Sequence, residues 1–524
     1  MSLPDISFEN IRPHEGSRHT GFEELCAQLA SLEPYPREAI FVRKGRGADA
    51  GIECYFRLAN GQEIGWQAKF LFAWDTNLVS QLDKSLRTAL DKHPKLTNYI
   101  VCLPFNLPDA RPAKGQSAQQ KWEAWKAKWE QTASAENRTL TITLWDKTAI
   151  GLRLTNQDAA NAGRLLYWFG EEALTPAWFE RQFEKARLAL GSRYTPDTNV
   201  ELPIRKTFLA VAREPHLQVQ VDHWYVQVHD RGLAAVRAIR QAVAQPAEDP
   251  YSSLLEDAID AFVTLLGCDP TGPERAFTIT EWLTSVTRCI ELTRSAFHWA
   301  FDLPPGKTST IGISPERWAQ ENLRKFLNLL TDIRESLLSD PWQLVNAPAV
   351  LLTGPAGVGK SHLLADVVEH QIHKGRPAIM VLGSLLIDGE PWRQIMAELD
   401  LPATQQVKHF LASLDAAAQA SGSRALICVD ALNERYGTDI WPSRLAAFLK
   451  AAEPFRRICV VLSCRSTYLS HVTLRRSKDR IFSTSSTMDS GPKVVKPQDT
   501  IWISAALFGR ELPILFPSFK IRSF

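Results

Sequence analysis

The residues whose types and spacing are best suited to chemistry form a glycine-rich loop in the last third of the chain. They match the pattern G-x-x-x-x-G-K-[ST] in full and comprise Gly354, Pro355, Ala356, Gly357, Val358, Gly359, Lys360 and Ser361. An apolar strand precedes the loop and a helical run follows it, so backbone N–H groups and the helix N-terminus would face phosphates. Lys360 adds a positive charge, and the Ser361 hydroxyl can bind Mg²⁺. These eight residues, together with His362, predict a site for ATP and Mg²⁺.

Three polar residues at or after the ends of later apolar strands are candidates to complete this site. Asp430 ends the run ALICVD, and a carboxylate at the end of a neighbouring strand is expected to hold the Mg²⁺. Glu434 could polarise the attacking water, although a solvated loop acid explains it equally well. Arg465 follows the run ICVVLSC and could contact the γ-phosphate, with a structural ion pair as the alternative.

A second group of polar residues, in the first 70 residues, has the order expected of a metal-dependent nuclease site. It comprises Glu23 on a first helix, Asp49 and Glu53 at the start of a strand, and Gln67 and Lys69 on the next strand. An acid and Gln67 would bind Mg²⁺. Lys69 would lower the pKa of the attacking water or stabilise the charge on the phosphate.

The geometry of this second group depends on a predicted hairpin. Residues 51–58 and 63–72 have the pattern of strands, and Asn60-Gly61 between them is a strong hairpin signal. Residues 67 and 69 are two apart, so both side chains would share one face of the strand. The hairpin would bring Glu53 close to Gln67. A solvent-exposed hairpin with a solvated lysine is the alternative.

The pattern of apolar residues predicts an α/β multidomain protein with four regions. Residues 1–150 alternate helix and strand, and residues 151–337 are mostly helical and are interpreted as a connector. Residues 338–470 contain near-continuous apolar strands between helices, which is typical of a parallel sheet covered on both faces. Residues 471–524 are rich in Ser, Lys and Arg at their start and predict an irregular tail.

Composition narrows the class of protein. The 524 residues are 45% apolar and 23% charged, which is typical of a globular chain, and the net charge of +2 gives no sign of a nucleic-acid partner. The eight cysteines form no C-x-x-C pair, so we expect buried thiols in a reducing cytosol. No apolar run reaches the ~20 residues that a membrane span needs, and residues 1–10 lack a signal-peptide core. We therefore expect a cytoplasmic protein with no membrane partner.

Three runs, GPAGVGKS, LICVDALNE and VVLSCRSTYL, together resemble the STAND class of AAA-related P-loop NTPases over residues 342–469. In that class the ATPase is a switch that oligomerises after a sensor domain detects a ligand. The winged-helix segment and the repeat array that normally follow have no counterpart after residue 470. The resemblance therefore implies either that sensing takes place elsewhere or that a frameshift has shortened the chain.

The N-terminal group resembles the PD-(D/E)xK nuclease fold in its Mrr-type variant, in which Gln replaces the usual acid. The matching pattern is F-E on a helix, then G-x-D-x-G-[IV]-[DE], then Q-x-K. The resemblance implies a restriction-endonuclease-like domain over residues 1–150. It favours Glu53 as the first metal ligand and Asp49 as the second choice.

Nuclease, helical connector and STAND ATPase follow one another as in bacterial antiviral STAND proteins. This resemblance implies an antiphage endonuclease that cuts double-stranded DNA, forms a homo-oligomer on activation and responds to a phage protein through a region missing here. One alternative is an Mrr-like, nucleotide-dependent restriction endonuclease acting on modified or foreign DNA. Another is a signalling ATPase with a catalytically inactive DNA-binding domain, and a third is a decayed fragment.

Two further basic segments are candidates for binding DNA. The run KWEAWKAKW carries Trp122, Trp125 and Trp129 at helical spacing, which favours a packing stripe over stacking on bases. The run RKGR at residues 43–46 could bind DNA phosphates, and a solvated loop explains it equally well.

Overall fold

The computed structural model describes residues 6–36, 39–43, 51–109, 115–155, 159–170, 172–196, 203–243, 249–267, 276–303, 314–472, 500–504 and 519–520. The helices are α1 Arg18–Ala30, α2 Thr76–Lys92, α3 Ala118–Ala135, α4 Lys147–Leu154, α5 Ala159–Phe169, α6 Pro176–Leu190, α7 Pro203–Val211, α8 Pro215–Ala242, α9 Ser252–Gly267, α10 Ile279–Trp299, α11 Pro315–Leu338, α12 Asp340–Leu344, α13 Lys360–His373, α14 Pro391–Glu398, α15 Val407–Ala420, α16 Gly437–Ala452 and α17 Leu469–Val472. The strands are β1 Ile40–Arg43, β2 Cys54–Arg57, β3 Glu63–Ala68, β4 Leu96–Cys102, β5 Thr141–Trp145, β6 Ala349–Gly354, β7 Ala378–Leu382, β8 Ala425–Asp430, β9 Ile458–Arg465, β10 Thr500–Ser504 and β11 Phe519–Lys520.

The chain forms two compact units. The first comprises residues 1–191, 368–421 and 425–493, and the second comprises residues 192–367, 422–424 and 494–524. Both α-helices and β-sheets are present, so the predicted α/β class is confirmed. The predicted division at residues 150, 337 and 470 stays a prediction.

The first unit contains a five-stranded mixed sheet in the order β1-β2-β3-β4-β5. Strands β1 to β3 are antiparallel, whereas β3, β4 and β5 run parallel and are connected through α2 and α3. One face carries Phe56, Trp66 and Ala68 and packs with α1, α4 and α5. The other face carries Tyr55 and Tyr99 and packs with α2 and α3. Helices therefore cover both faces of this sheet.

A second group of strands in the first unit has the parallel arrangement that the apolar runs predict. β7 pairs with β8 and β8 pairs with β9, all in parallel. Helix α15 packs against β8 and β9. It is buried from Phe410 to Ala420 because α5 covers its other side. A helix that is buried on all sides is typical of a layer enclosed between two others.

The second unit combines a helical core with short antiparallel strand pairs. The core joins α8 to α12 around Trp224, Trp282 and Trp342, so the predicted helical character of this region is confirmed. β6 pairs with β10, and β10 pairs with β11. The stretch predicted to be irregular, residues 471–524, thus contains two short strands. No helix among the described residues is long and apolar enough to cross a membrane.

The cysteines within the described ranges are buried and form no disulfide, as the sequence predicts. Cys268 lies outside these ranges. Burial raises the pKa of the Cys26 thiol, and the adjacent Cys102 raises it further. Burial also raises the pKa of the Cys289 thiol to about 12. Thiols with raised pKa values are poor nucleophiles, so these residues act as small core side chains.

Candidate functional site

The predicted hairpin brings Glu53 and Gln67 into direct contact. β2 and β3 pair antiparallel with Cys54 opposite Trp66, and the Glu53 backbone N–H donates to the Trp66 carbonyl oxygen at 2.7 Å. Glu53 therefore lies beside Gln67, whose Nε2 donates to Glu53 Oε1 at 2.5 Å. The prediction that the hairpin would bring these two side chains together is confirmed.

Two glycines with left-handed backbone conformations fix this geometry. Gly61, at φ +82°, forms the turn between the strands, and its N–H donates to the Leu58 carbonyl oxygen. Gly51, also at φ +82°, lies where helix α2 passes over the start of the hairpin. A Cβ atom there would lie 2.0 Å from the carbonyl oxygen of Ser85 on α2. Only glycine allows this close approach.

Gln67 and Lys69 are buried at the end of β3. Gln67 is fully buried and Lys69 is 8% exposed, and the Lys69 N–H extends the ladder to the Cys102 carbonyl oxygen at 3.0 Å. The intervening residues Trp66 and Ala68 pack towards α1, so alternation along the strand places Gln67 and Lys69 on the opposite face, under α2 and α3. No hydrogen bond or ion pair holds the Lys69 ammonium among the residues that the structure describes. The alternative of a solvated lysine on an exposed hairpin is wrong for this residue.

The chemistry of the Glu53 and Gln67 side chains fits a bound metal ion. Gln67 Oε1 is buried and accepts no hydrogen bond from any described residue. Leaving a buried polar oxygen unpaired costs about 1–3 kcal/mol, so such an atom indicates a missing partner. Amide and carboxylate oxygens are the ligands that Mg²⁺ prefers. Gln67 Oε1 and the Glu53 carboxylate therefore form a pair suited to Mg²⁺.

The acid on helix α1 is less well placed than the sequence suggests. Glu23 is about a quarter exposed and forms an ion pair with His19 at 3.3 Å on its own helix. Its neighbour Glu24 is buried, pairs with Arg43 of β1 and accepts a hydrogen bond from Gln28 Nε2 at 2.8 Å. Sequence reasoning missed Glu24, although its i, i+4 spacing to Gln28 on the buried face was a signal. α1 packs on the sheet face opposite to Gln67, so a role for Glu23 at the metal stays a prediction.

Other predicted ligands lie outside the described ranges or have other partners. Asp49 and residues 44–46 of the basic run fall outside the described residues, whereas Arg43 pairs with buried Glu24. Within the described ranges, no group of three or more His, Cys, Asp or Glu side chains is arranged to hold a metal ion. Among the described residues, the candidate metal ligands at the hairpin are therefore one carboxylate and one amide.

The phosphate loop has the strand–loop–helix form that the sequence predicts. β6 ends at Gly354 and α13 begins at Lys360. Gly357 and Gly359 adopt left-handed conformations at φ +78° and +85°, which residues other than glycine rarely adopt. Lys360 Nζ donates to the carbonyl oxygens of Gly354 at 2.9 Å and Pro355 at 2.6 Å. The ammonium group is thereby held against the start of the loop that precedes it.

The residue after the loop contacts a segment that the sequence did not single out. The His362 ring lies 5.0 Å from the Tyr194 ring, and the Thr195 N–H donates to His362 Nδ1 at 3.5 Å. Tyr194 is buried. His362 and Ser361 lie in the first turn of α13, as predicted. Tyr194 lies in a loop within the predicted helical connector and belongs to no motif, so no local signal could have identified it.

Asp430 lies at the carboxyl end of β8, as predicted, and is fully buried. Ser463 Oγ donates to Asp430 Oδ1 at 2.5 Å and accepts a hydrogen bond from the Ala431 N–H at 2.7 Å. Asp430 Oδ2 accepts no hydrogen bond from the described residues. One oxygen is thus fixed by Ser463 and the other is available to a cation such as Mg²⁺. The orienting role of Ser463 was missed, because nothing in the run VVLSC distinguishes it from an ordinary strand residue.

The two other predicted nucleotide contacts lie in the same region. Glu434 is partly buried in the turn after β8, where its N–H donates to the Ala431 carbonyl oxygen at 3.0 Å. Arg465 is the last residue of β9 and is exposed, and its N–H donates to Asn433 Oδ1 at 2.8 Å. The predicted position of Arg465 at the strand end is confirmed. The catalytic and sensing roles of Glu434 and Arg465 stay predictions.

Helix α15 connects the parallel strands to the hairpin sheet within the first unit. Asp415 forms a buried ion pair with Arg457 at 2.9 Å, next to the start of β9. On the other side, Arg164 of α5 donates to Gln419 Oε1 at 2.5 Å, and Gln28 of α1 donates to the Ala416 carbonyl oxygen at 3.3 Å. Helix α15 therefore bonds both to the residue that precedes β9 and to α1 and α5, which pack on one face of the hairpin sheet.

No protein-family model matches this chain, and no curated protein is detectably similar to it.

Proposed function

We propose that this protein is a metal-dependent DNA endonuclease under the control of ATP and that it acts in antiphage defence. The observation that carries the proposal is the hydrogen-bonded pair of partly buried Glu53 and buried Gln67, next to the buried Lys69. A lysine that forms no ion pair within the described ranges is costly to bury, so its presence at this position favours a role in binding or catalysis. The defence role rests on the order of nuclease, connector and ATPase, which resembles that of antiviral STAND proteins.

In the proposed nuclease reaction, the residues at the hairpin have distinct tasks. The Glu53 carboxylate and Gln67 Oε1 would hold Mg²⁺, and Glu23 and Asp49 are further candidates. When bound, Mg²⁺ polarises a phosphodiester and lowers the pKa of a bound water. The Lys69 ammonium would stabilise the negative charge that develops on the phosphate. Its burial would strengthen that interaction, because charges interact more strongly away from water.

The proposed control depends on ATP at the glycine-rich loop. Lys360 and the backbone N–H groups of the loop would bind the phosphates, and the Ser361 hydroxyl would contact the Mg²⁺ of the nucleotide. Asp430 is the carboxylate proposed for this Mg²⁺, and its unpaired Oδ2 fits that role. Glu434 would polarise the attacking water, and Arg465 would respond to the γ-phosphate.

The packing of α15 supports coupling between the strand that carries Asp430 and the hairpin sheet. α15 packs against β8 and forms hydrogen bonds with α1 and α5. Nucleotide can change the hairpin site only if it binds two arrangements of these elements with different affinity. By resemblance to STAND proteins, we propose that the favoured arrangement is a homo-oligomer and that a phage protein triggers it.

The experiment that tests the nuclease is cleavage of supercoiled plasmid with and without Mg²⁺. Glu53→Gln keeps an oxygen to accept the Gln67 hydrogen bond and removes only the charge, so it isolates the metal-binding role. We expect Glu53→Gln and Lys69→Ala each to reduce the rate at least 100-fold. Lys95→Ala, which removes a charge from an exposed position, should retain the wild-type rate.

Two outcomes would redirect the proposal. Cleavage confined to modified or foreign DNA, and independent of any added phage protein, would favour the restriction endonuclease. Retained biological protection in Lys69→Ala and Glu53→Gln, measured as plaque reduction, would favour an inactive DNA-binding domain in a signalling ATPase. Wild-type levels of plasmid cleavage by both variants would contradict the assignment of this site.

A further inference from the structure

An open groove of about 980 Å³ runs along helix α2 in the first unit. It is called the α2 groove here, and its lining includes Trp74, Thr76, Ser80, Lys84, Arg87 and Lys121. The α2 residues recur at intervals of three or four, so they form one stripe along the helix. At 1.5 Å per residue the stripe from residue 76 to residue 87 is about 17 Å long. B-DNA rises about 3.4 Å per base pair along its axis, so the stripe matches the axial length of about five base pairs.

The charges in the α2 groove favour an anionic ligand. Lys84, Arg87 and Lys121 are exposed, and none forms an ion pair with a described residue. The two acids in the groove are both engaged. Asp75 accepts the Leu78 N–H at 2.9 Å and so caps α2. Asp83 pairs with Lys128 of α3 at 3.5 Å.

Asp83 is also fixed by the tryptophans of helix α3. Trp125 Nε1 and Trp129 Nε1 each donate to Asp83 Oδ1 at 2.7 Å. Burial would raise the pKa of Asp83, but these two hydrogen bonds and the charge of Lys128 outweigh that effect and lower the pKa. The carboxylate thus anchors α3 to α2, and its charge is offset by the groups that it binds.

The aromatic residues near the groove form a wall and do not offer free faces for bases. Trp122, Trp125 and Trp129 are each no more than 5% exposed, so the predicted packing stripe is confirmed. Trp74 is half-buried and packs edge-on against Trp122 at 5.8 Å. What remains accessible is the row of cations, with the hydroxyls of Thr76 and Ser80 beside them. Cations and hydroxyls bind phosphate oxygens, and they do so without reading sequence.

The α2 groove begins close to the proposed catalytic residues. Trp74 follows Lys69 by five residues, so their Cα atoms lie no more than about 18 Å apart. Because Trp66 and Ala68 face α1, strand alternation places Gln67 and Lys69 on the opposite sheet face, the one covered by α2 and α3. If the scissile phosphate of a duplex reached Lys69, the sugar-phosphate backbone on one side of the cleaved bond would run towards the α2 groove.

We propose that the α2 groove binds the sugar-phosphate backbone of double-stranded DNA next to the cleavage position, through Lys84, Arg87 and Lys121. This inference rests on the proposed nuclease function, because that function is the reason for identifying the anionic ligand as DNA. The groove supplies affinity and orientation and no sequence preference.

The test measures binding separately from cleavage. The full-length chain is titrated against a fluorescent 30-base-pair duplex in EDTA, where metal-dependent cleavage does not occur, at several salt concentrations. The test variant is Lys84→Gln with Arg87→Gln. The control is Lys92→Gln with Lys95→Gln, which makes the same change in net charge at two exposed positions, the last residue of α2 and a residue just beyond it. Lys121→Gln serves as an independent single variant, and thermal melting confirms that each protein is folded.

We expect the test variant to bind at least tenfold more weakly at 0.1 M salt and the control within twofold of wild type. The slope of log K against log salt concentration should fall by about 1.8 in the test variant, because each lost phosphate contact reduces it by about 0.9. Equal slopes and affinities in the two double variants, or a wild type that binds no duplex, would overturn the inference. If wild type cleaves DNA and the test variant cleaves and binds it equally well, the proposed role of the α2 groove is wrong and the proposed nuclease function is retained. If wild type never cleaves but the difference in binding is observed, the proposed role of the groove is retained and the proposed nuclease function is wrong.

Discussion

Gly163 lies where helix α5 meets α15, and we expect a single added methyl group at this position to force the two helices apart. A Cβ atom on residue 163 would lie 2.2 Å from the backbone carbon and the Cβ of Ala412, and 2.6 Å from the Ala412 carbonyl oxygen. Carbon atoms in contact lie about 3.5 Å apart, so the helices would have to separate by roughly 1.3 Å. None of the three Ala412 atoms can rotate out of the way.

Two opposing effects set the size of the change in stability. Replacing glycine by alanine inside a helix ordinarily stabilises it by about 1 kcal/mol. Overpacking a buried contact costs about 1–3 kcal/mol, and a contact with backbone atoms lies at the upper end of that range. We therefore expect Gly163→Ala to lower the free energy of unfolding by about 2 kcal/mol. Gly151, in α4, has no atom within 4 Å of its Cβ position, so Gly151→Ala should raise it by up to about 1 kcal/mol.

The assay is urea unfolding of wild type and both variants, followed by plasmid cleavage with and without ATP. Gly163→Ala should also reduce the stimulation of cleavage by ATP, because α15 connects the strand of Asp430 to the helices that cover the hairpin sheet. Gly151→Ala should keep the wild-type stimulation. If Gly163→Ala were as stable as Gly151→Ala, the close packing of α5 on α15 would be refuted. If it were destabilised with unchanged stimulation by ATP, α15 would not be the route of coupling.

Three further predictions concern positions with defined contacts. Gly51→Ala should lower the melting temperature and abolish cleavage, because its Cβ would meet a carbonyl oxygen of α2 at 2.0 Å; a wild-type melting temperature would contradict this. Ser463→Ala should weaken Mg²⁺-dependent binding of ATP by about tenfold or more, since it releases Asp430, whereas Ser443→Ala should have no effect in the same titration. Asp83 has a lowered pKa, so its charged form stabilises the fold above the unfolded pKa, and this stability is lost as the pH falls through the folded pKa. Asp83→Asn should therefore be less stable than wild type at pH 7, with a difference that shrinks below about pH 4 in urea unfolding; a pH-independent difference would be inconsistent with this.

The parts of the structure that could be predicted are those with local signals. Asn60-Gly61 predicted the hairpin, and the hairpin alone was enough to bring Glu53 to Gln67. The glycine-rich loop and the apolar run ending at Asp430 were recognised because turns and buried strands leave short, dense patterns. The tryptophans of α3 were assigned to packing from their spacing along one helix face.

What could not be predicted depends on contacts between distant parts of the chain. The burial of Glu24 against Arg43 and the orientation of Asp430 by Ser463 are pairings across 19 and 33 residues, respectively, with no pattern that marks either partner. The packing of α15 on α5 depends on Gly163, which within the sequence is an unremarked helical glycine. The burial of Lys69 could not be decided from the sequence. An alternating strand has the same pattern whether its second face is solvated or covered by helices.

The central claim is that ATP controls a nuclease site built on Glu53, Gln67 and Lys69. It is tested most directly by the rate of supercoiled-plasmid cleavage by the wild-type protein in Mg²⁺, measured with and without ATP and repeated with Lys360→Ala. The account predicts that ATP stimulates cleavage by the wild-type protein and that this ATP-stimulated cleavage is lost in Lys360→Ala. Cleavage at one rate with and without ATP, unchanged in Lys360→Ala, would contradict it.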